Sequence, residues 1–349
     1  MADPEGYTKP RPRRRGTAPT IADVARAAGV SKGTVSRVLN GRDWVSPSTR
    51  ARVHQAMTDI GFVANATARS LATRRTGNIA FILGTAPTHL FEDPNYAVLL
   101  QVASEELARQ DHALILLTAG TAAERHRAAR FVCGGHVDGV LFVSPREEQA
   151  DDLIALLRTQ PVPVIVCGRP FVHGDPLPFV ATNDRSGAAD LGRHFRTRGY
   201  RRVGVIAGHL NTVGAQARVQ AFTEAADGIT RPEWLVEAGE YSRQAGANAM
   251  LQLLAQAPGL DAVFATSDLL AEGAIDVIKQ AQLRIPDDIA VAGFDDSAIA
   301  QRVSPPLTTV RQSVTAVARE MVRQLAAGIR GEPPRTVWVD TELIVRASA

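Results

Sequence analysis

Apolar residues near the N-terminus recur at a helical period in three consecutive short segments. Each segment opens on a residue suited to an N-cap, namely Thr20, Ser31 and Ser46, and ends near a glycine. The apolar faces share a spacing of three and four residues: Ile21, Val24, Ala25 and Ala28; Thr34, Val35, Val38 and Leu39; and Val53, Ala56, Met57 and Ile60. Two short helices joined by a tight turn through Gly29, with a third closing their core, predict a helix-turn-helix over residues 20–63.

Beyond residue 78, short apolar runs rich in β-branched residues alternate with helical stretches. One series has predicted strands at 79–83, 113–117, 137–143 and 162–166, and a second has them at 179–181, 202–207, 262–265 and 289–292. This alternation predicts an α/β fold in which parallel sheets are covered by helices. We therefore expect two similar lobes with a cleft between them. The first would comprise about 78–177 and 312–336, and the second about 178–307 and 339–349.

Two segments lack the pattern of a packed domain. Residues 1–19, which include Lys9 and four arginines, have no apolar periodicity and are predicted to form a flexible basic arm. Residues 64–77 contain a short stretch of helical propensity whose one large apolar side chain is Leu71. Because an isolated helix of this length is marginal, we expect it to fold only against another surface.

The charge is distributed unevenly along the chain of 349 residues. Residues 1–75 hold 14 Lys and Arg against 5 Asp and Glu, a net charge of +9, and the remainder holds 25 against 31, a net charge of −6. A basic head on an acidic body indicates a polyanionic partner for the head alone.

Composition and motifs argue against several classes of protein. The chain has 45% hydrophobic and 21% charged residues, as globular proteins do, and no apolar run approaches the roughly 18 residues of a membrane span. We expect no secretory signal. Cys133 and Cys167 have neither CxxC spacing nor histidine neighbours, which predicts a reducing cytoplasmic location and no metal site. Without a GxGxxG after a strand, a P-loop, a GxSxG or an HExxH, the chain is expected to be neither an enzyme nor a cofactor carrier.

Several motifs resemble those of the LacI/GalR family of bacterial repressors. The head carries TIADVARAAGVS at 20–31, TVSRVLNG at 34–41, VSPSTR at 45–50 and ARSL at 68–71. The body carries, in the family's order, DPNY at 93–96, GYRR at 199–202, GFDD at 293–296, PPLTTV at 305–310 and ELIVR at 342–346. The resemblance covers nearly everything after Thr20. It implies a helix-turn-helix head, a hinge helix and a core similar to periplasmic sugar-binding proteins.

The resemblance makes residues 31–39 the recognition helix, which enters the major groove. Its exposed face carries Lys32, Gly33, Ser36 and Arg37, of which the two basic residues can donate to guanine. Gly33 stands where many relatives carry a base-reading side chain, so we expect fewer bases to be read there. Short polar residues near helix starts and turns suit phosphate contacts: Thr20, Ser31, Thr34, Asn40, Ser46 and Thr49. For Thr20, Ser31 and Ser46, the alternative is plain helix capping. Trp44 would lie either against the sugar-phosphate backbone or on the third helix.

By the same resemblance, residues 65–72 are the hinge helix, which folds when two copies pair in the minor groove. Asn65 and Ala68 are candidate DNA contacts, and Leu71 is the candidate wedge at a central base step. The alternative is that Leu71 packs on its own domain. Because no heptad repeat follows the last predicted strand, we expect a homodimer on a near-palindromic double-stranded DNA operator.

Three body residues match positions that hold the effector in this family: Arg218, Asp295 and Tyr241. They predict a sugar-like effector, since a ring can cover the apolar face of a sugar while charged groups take its hydroxyls; the alternative is a surface ion pair and a tyrosine at the core edge. Ser267 and Arg169 are further candidates, although both depart from the sugar-binding pattern, as does the order Asn183-Asp184. Arg169 would favour an anionic effector such as a sugar phosphate.

The implied function is that of a transcriptional repressor whose DNA affinity is set by a small molecule. A ligand changes this affinity only if it binds one lobe arrangement better than the other. Of the two possible signs, we expect induction, in which the ligand releases the operator. The rival from another class, a periplasmic solute-binding protein, would share the body fold but not the basic head.

Overall fold

The protein's computed structural model describes residues 19–39, 44–62, 75–143, 147–170 and 177–349. The chain divides into two compact units, residues 1–76 and 77–349. The described part of the small unit is helical, and the large unit is α/β.

Within its described residues, the small unit contains three helices, α1 (Ile21–Ala28), α2 (Lys32–Leu39) and α3 (Pro47–Ile60). At the start of α1, the Asp23 carboxylate accepts hydrogen bonds from both the N–H and the hydroxyl of Thr20. Ser46 caps α3 by accepting a backbone N–H. Each helix contributes one fully buried valine to the centre of the core: Val24, Val35 and Val53. The predicted helix-turn-helix is thus confirmed.

The first sheet of the large unit has six parallel strands in the order β11-β5-β4-β3-β1-β2. The strands are β1 (Asn78–Leu83), β2 (Ala113–Thr118), β3 (Gly139–Val143), β4 (Val164–Cys167), β5 (Phe179–Thr182) and β11 (Val337–Val339). The accompanying helices are α4 (His89–Glu92), α5 (Pro94–Ala108), α6 (Ala122–Cys133), α7 (Glu147–Arg158) and α13 (Val314–Ile329). Helices α5 and α13 cover one face of this sheet, and α6 and α7 cover the other.

The second sheet has the order β12-β10-β9-β8-β6-β7, in which only the β12–β10 pair is antiparallel. The strands are β6 (Val203–Ala207), β7 (Leu235–Glu237), β8 (Ala262–Ala265), β9 (Ala290–Asp295), β10 (Thr308–Gln312) and β12 (Thr341–Ile344). The helices are α8 (Asp184–Arg198), α9 (Val213–Ala226), α10 (Arg243–Gln256), α11 (Asp268–Gln280) and the short α12 (Ala298–Arg302), with a 3-10 turn at Pro232–Trp234. Two helix-covered parallel sheets confirm the predicted fold class.

Along the described strands, the chain passes from one sheet to the other three times: after β5, after β10 and after β11. The prediction that residues 179–181 open the second lobe is wrong, because β5 pairs with β4 in the first sheet, with Phe179 beside Val166. The second sheet likewise extends through β10 to Gln312. A buried strand has the same apolar pattern in either sheet, so local periodicity does not reveal which neighbour it joins.

Helices α10 and α11 approach so closely that a glycine is required at Gly273. A Cβ built there would lie 2.0 Å from the carbonyl oxygen of Arg243 and 2.6 Å from the backbone nitrogen of Ala247. We expect Gly273→Ala to lower the free energy of unfolding by ~1–3 kcal/mol, which is the usual cost of overpacking. Urea denaturation measures the change.

The matched control is Gly33→Ala on α2, where a Cβ would meet only the hydroxyl oxygen of Ser31, at 3.7 Å. There the higher helix propensity of alanine is expected to stabilise the helix by up to ~1 kcal/mol. Wild-type stability of Gly273→Ala would contradict the close approach of α10 and α11.

Candidate effector cleft and DNA-reading helix

A cavity of about 620 Å³ is lined by residues from both sheets of the large unit. Five strands end at it, and their last residues contribute to its wall: Val143, Cys167, Thr182, Asp295 and Gln312. The carboxyl ends of parallel strands are the usual ligand-binding edge of α/β folds. All five residues proposed from the sequence to bind the effector lie on this wall: Arg169, Arg218, Tyr241, Ser267 and Asp295.

Arg218, on α9, is a buried cation of this cavity. Its Nε donates to Oδ2 of Asp184 at 3.2 Å, and its Nη1 donates to the carbonyl of Thr266 at 2.8 Å and lies 3.6 Å from Oδ1 of Asp295. The guanidinium also lies over the ring of Phe294, 4.1 Å from its centroid. Burial disfavours the charged form, but the two carboxylates outweigh burial and raise the pKa of Arg218. The guanidinium is therefore fixed in place and permanently charged.

Asp295 lies in a strained backbone turn at the end of β9. Its φ is 123°, and that of Asp296 is 53°, in the region that residues other than glycine rarely adopt. The Asp296 carboxylate anchors the turn, because it accepts from Arg311 at 2.7 Å and from Arg346 at 2.6 Å. Strain of this kind persists only where surrounding contacts enforce it, and it is concentrated at functional sites.

The negative charge of Asp295 is only partly compensated by its surroundings. Burial raises the pKa of its carboxyl well above the ordinary value; Arg218 opposes this shift, and the neighbouring Asp268 and Asp93 add to it. Gln312 donates a hydrogen bond to Oδ1 of Asp295. One guanidinium shared between two carboxylates leaves Asp295 ready to accept further hydrogen bonds.

The sequence did not identify the polar contacts between the ends of β5 and β10, where the chain leaves one sheet for the other. The Thr182 hydroxyl lies 2.6 Å from Oδ1 of Asp184 and 2.7 Å from Oε1 of Gln312. Thr182 and Gln312 end strands in different sheets, so this contact bridges the lobes at the cavity wall. Their position as the last polar residue of an apolar strand was the available signal, since ligand-binding residues of α/β folds occupy such positions.

The ring of Tyr241 packs directly against the backbone of Gly208, in the loop that follows β6. A Cβ built on Gly208 would lie 2.3 Å from that ring, so the glycine permits the contact. Burial raises the pKa of Tyr241, whereas Arg218 and a hydrogen bond with the Thr266 side chain oppose the rise. Tyr241 therefore packs at the edge of the core and also lines the cavity.

Ser267 and Arg169 differ in their freedom to contact a ligand. Ser267 is buried, and its hydroxyl accepts the backbone N–H of Leu270 at 3.2 Å as the N-cap of α11. Arg169 is exposed at the cavity rim. An effector role for either residue remains a prediction, as it does for Arg218, Tyr241 and Asp295.

Asp268, at the start of α11, is buried behind the cavity wall. Burial raises the pKa of its carboxyl to about 7, although Thr309 donates to it at 2.6 Å and the backbone N–H of Ser297 donates at 2.7 Å. A carboxyl with a raised pKa retains its proton longer when folded than when unfolded. Its contribution to stability is therefore present at acidic pH and is lost as pH rises from about 4 to about 7.

We expect the Asp268→Asn variant to lack this pH dependence. Relative to the variant, the wild type should lose about 2–3 kcal/mol of unfolding free energy between pH 5 and pH 8. Urea titrations of both proteins at the two pH values measure the difference. The variant amide can donate to Thr309 and accept from Ser297, so folding is preserved; parallel pH profiles would show that Asp268 is ionised throughout.

The outer face of α2 carries the predicted base-reading residues. Lys32, Gly33 and Arg37 are exposed, and Ser36 is partly exposed, whereas Val35 faces the core. Trp44 does not pack on α3, because 91% of its surface is exposed. Of its two predicted positions, only contact with a partner such as the DNA backbone stays open.

The polar residues at the helix starts cap them. Ser31 accepts the backbone N–H of Thr34 at 3.1 Å, and Ser46 accepts that of Thr49 at 3.3 Å. Capping does not preclude phosphate contacts, because Thr20, Ser31 and Ser46 are exposed. Four of the candidate DNA contacts lie outside the described residues: Asn40, Asn65, Ala68 and Leu71. The hinge helix therefore stays a prediction.

The described residues contain neither a candidate metal site nor a candidate membrane span. No group of three or more His, Cys, Asp or Glu side chains there is arranged to hold a metal ion. None of the helices in the described part is long and apolar enough to cross a membrane.

Two family models match the chain. Residues 20–65 match the bacterial regulatory proteins of the lacI family, and residues 193–349 match a periplasmic binding protein-like domain. The HTH-type transcriptional regulator CelR of Thermobifida fusca is 38% identical over 335 residues, which cover 95% of this chain and 98% of CelR. The HTH-type transcriptional repressor PurR of Yersinia pestis (strain Pestoides F) is 31% identical over 336 residues, or 94% of this chain and 96% of PurR.

Solved structures agree with these relatives. A complex of the transcriptional regulator CelR with cellobiose has a TM-score of 0.74 and 35% identity, covering 95% of this chain and all of that one. The lac repressor dimer bound to operator and an anti-inducer has a TM-score of 0.82 at 23% identity, covering 95% and 99%, and shows the shared fold. The helix-turn-helix head, the two-lobed core and near full-length similarity to CelR lead to one conclusion: the chain is a member of the lacI family, a DNA-binding transcriptional regulator and not an enzyme.

Proposed function

We propose that this regulator is a cytoplasmic repressor that binds a near-palindromic operator as a homodimer and releases it when a neutral sugar enters the cavity. The observation that carries the sugar proposal is the cluster of Arg218, Asp184 and Asp295. Its guanidinium is already neutralised by two carboxylates, so the cluster offers hydrogen bonds and no net positive charge. Hydroxyl groups, which both donate and accept, suit such a cluster.

The same cluster disfavours an anionic effector. A phosphate placed beside Arg218 would also meet Asp184 and Asp295, and like charges repel strongly in a buried site. Arg169 could bind an anion only at the exposed rim, where solvent weakens the attraction. CelR, whose sequence covers nearly this entire chain, is known in complex with the neutral sugar cellobiose, which supports the proposal.

The mechanism follows from the crossings of the chain. A sugar that contacts both lobes binds best when they are closed around it, and it thereby shifts the population toward that arrangement. The contact of Thr182 with Gln312 joins the lobes at the cavity wall, so movement of one lobe is transmitted there. Differential affinity for the two arrangements is the only source of the change in operator affinity.

The proposed dimer is supported by an exposed apolar groove on the first lobe. It is formed by α4, α5 and the edge strand β2, encloses about 470 Å³ and is lined mainly by Leu90, Phe91, Leu100, Leu114 and Leu116. Phe91 is 86% exposed and Leu116 39%. Exposed apolar patches of this kind mark protein interfaces, and most homo-oligomers pair one patch with its own copy.

We expect Leu116→Glu to convert the dimer to monomers, because two carboxylates would be buried at an interface related by two-fold symmetry. Sedimentation velocity gives the mass. Val345→Glu is the matched control, since Val345 is 55% exposed just after β12, away from the groove. If the Leu116→Glu variant remained a dimer, the dimer interface would have to lie on another surface of the protein.

The experiment that tests the function begins with selection of bound duplexes from a random DNA pool at one stated salt concentration. The recovered duplex is then titrated with protein in the presence of cellobiose, glucose or glucose 6-phosphate. We expect a near-palindromic duplex whose affinity falls with a neutral sugar. Release by glucose 6-phosphate alone would favour the anionic effector, and tighter binding with sugar would reverse the proposed sign.

A further inference from the structure

Trp338 presents an aromatic surface at the wall of the effector cavity. It lies at the middle of β11, the edge strand of the first sheet, beside Ala181 of β5. The side chains of Val337 and Val339 pack into the core beneath α13, so the alternation of a strand sends Trp338 to the opposite face. More than half of the tryptophan, 52%, is exposed.

The indole is held in place although it is exposed. It packs perpendicular to the ring of Phe179, with 5.4 Å between the centroids. Perpendicular packing is a preferred aromatic geometry, so this contact favours one orientation of the indole. Trp338 also lines the cavity, so indole surface that Phe179 does not cover is available there.

The other two tryptophans show how unusual this placement is in the chain. Trp234 is buried, and the guanidinium groups of Arg202 and Arg231 each lie 4.9 Å from its ring centroid. Trp44 belongs to the small unit. Of the three, all of which are described, only Trp338 lines the cavity.

The residues that line the cavity differ in exposure and in chemistry. The side chains of Arg218, Asp184 and Asp295 are only 13%, 9% and 10% exposed and offer hydrogen bonds. Trp338 is much more exposed and offers an apolar plate. The volume of about 620 Å³ lies well inside the roughly 300–1,000 Å³ range of small-molecule sites, which leaves room beyond one sugar ring.

We propose that Trp338 is the stacking platform of a second sugar subsite, so that the effector is an oligosaccharide of at least two rings. This inference rests on the proposed sugar-responsive function. One ring is held by the Arg218 cluster, and the next lies with its face on the indole. A glucosyl ring whose hydroxyls are all equatorial suits the plate, because its faces carry C–H groups and its hydroxyls point outward to the polar wall.

The test is calorimetric titration of the full-length protein with cellobiose and with glucose. Trp338→Ala should raise the Kd for cellobiose about tenfold, equivalent to ~1.4 kcal/mol, and leave the Kd for glucose unchanged. Trp338→Phe should keep most of the cellobiose affinity, since a smaller ring still stacks. Thermal unfolding of each variant checks that loss of the Phe179 contact has not unfolded the lobe.

Tryptophan fluorescence gives a second readout. Cellobiose should change the emission of the wild type, and Trp338→Phe should abolish the change, because Trp44 and Trp234 do not line the cavity. If Trp338→Ala weakened the binding of both sugars equally, or did not weaken the binding of cellobiose, the second subsite would be overturned while sugar binding itself would stand. If neither sugar binds the folded wild type, the proposed neutral-sugar function fails as well.

Discussion

Replacing Arg218 with methionine is expected to abolish the response of operator binding to sugar while leaving sugar-free operator binding intact. The guanidinium has five N–H donors, more than its bonds to Asp184 and Thr266 use. A hydrogen bond to a charged group is worth roughly 1.5–3 kcal/mol, so loss of two to a ligand weakens binding about 100-fold or more. Calorimetry with sugar and fluorescence anisotropy with labelled operator measure the two effects separately.

The substitution should also destabilise the large unit, and in a pH-dependent way. It leaves Asp184 and Asp295 buried without their shared cation, which typically costs roughly 3–5 kcal/mol. Because burial raises the pKa of Asp295 well above its ordinary value, this carboxyl takes up a proton as pH falls. The stability deficit of the variant is therefore expected to shrink toward acidic pH and to grow toward alkaline pH.

Two controls separate binding from stability. The double variant Arg218→Met, Asp184→Asn removes one of the uncompensated acids, so it should regain stability without regaining the sugar response. Arg243→Met removes an exposed arginine paired with Asp276 at 2.6 Å and should change neither property. A full sugar response in Arg218→Met would show that the effector binds elsewhere.

Replacing Arg37 with alanine is expected to weaken operator binding by at least about 30-fold. Arg37 is exposed on the outer face of α2, and a bidentate contact to guanine contributes roughly 1–3 kcal/mol of base discrimination. The proposed dimer presents two copies, so the loss doubles to roughly 2–6 kcal/mol. Anisotropy titrations of the selected operator and of a scrambled duplex, at matched salt, give the specificity ratio.

The matched control is Arg26→Ala on α1 of the same unit. Arg26 is also exposed and pairs with Asp23 at 3.3 Å, so its loss changes the net charge by the same amount. We expect a similar small loss on both duplexes, since charge alone supports binding without sequence preference. If Arg37→Ala weakened both duplexes equally, Arg37 would be a phosphate contact and not a base contact.

The sequence by itself determined the DNA-binding head. Its helices rest on information within a few residues: the apolar spacing that buries Val24, Val35 and Val53, and the caps at Thr20 and Ser46. Capping and periodicity act between neighbours along the chain, so they can be read from the sequence. The resemblance to a known family added Arg218, Tyr241 and Asp295, which the structure places on one wall.

Only the tertiary structure decided how the body is divided and what surrounds the cavity. The pairing of Phe179 with Val166 put β5 in the first sheet, and the contact of Thr182 with Gln312 joins residues 130 positions apart. Trp338 acquired its place on the cavity wall because β11 pairs with β5, more than 150 residues earlier. Sheet membership depends on pairing between distant strands whose local patterns are alike, and no local period specifies which strands pair.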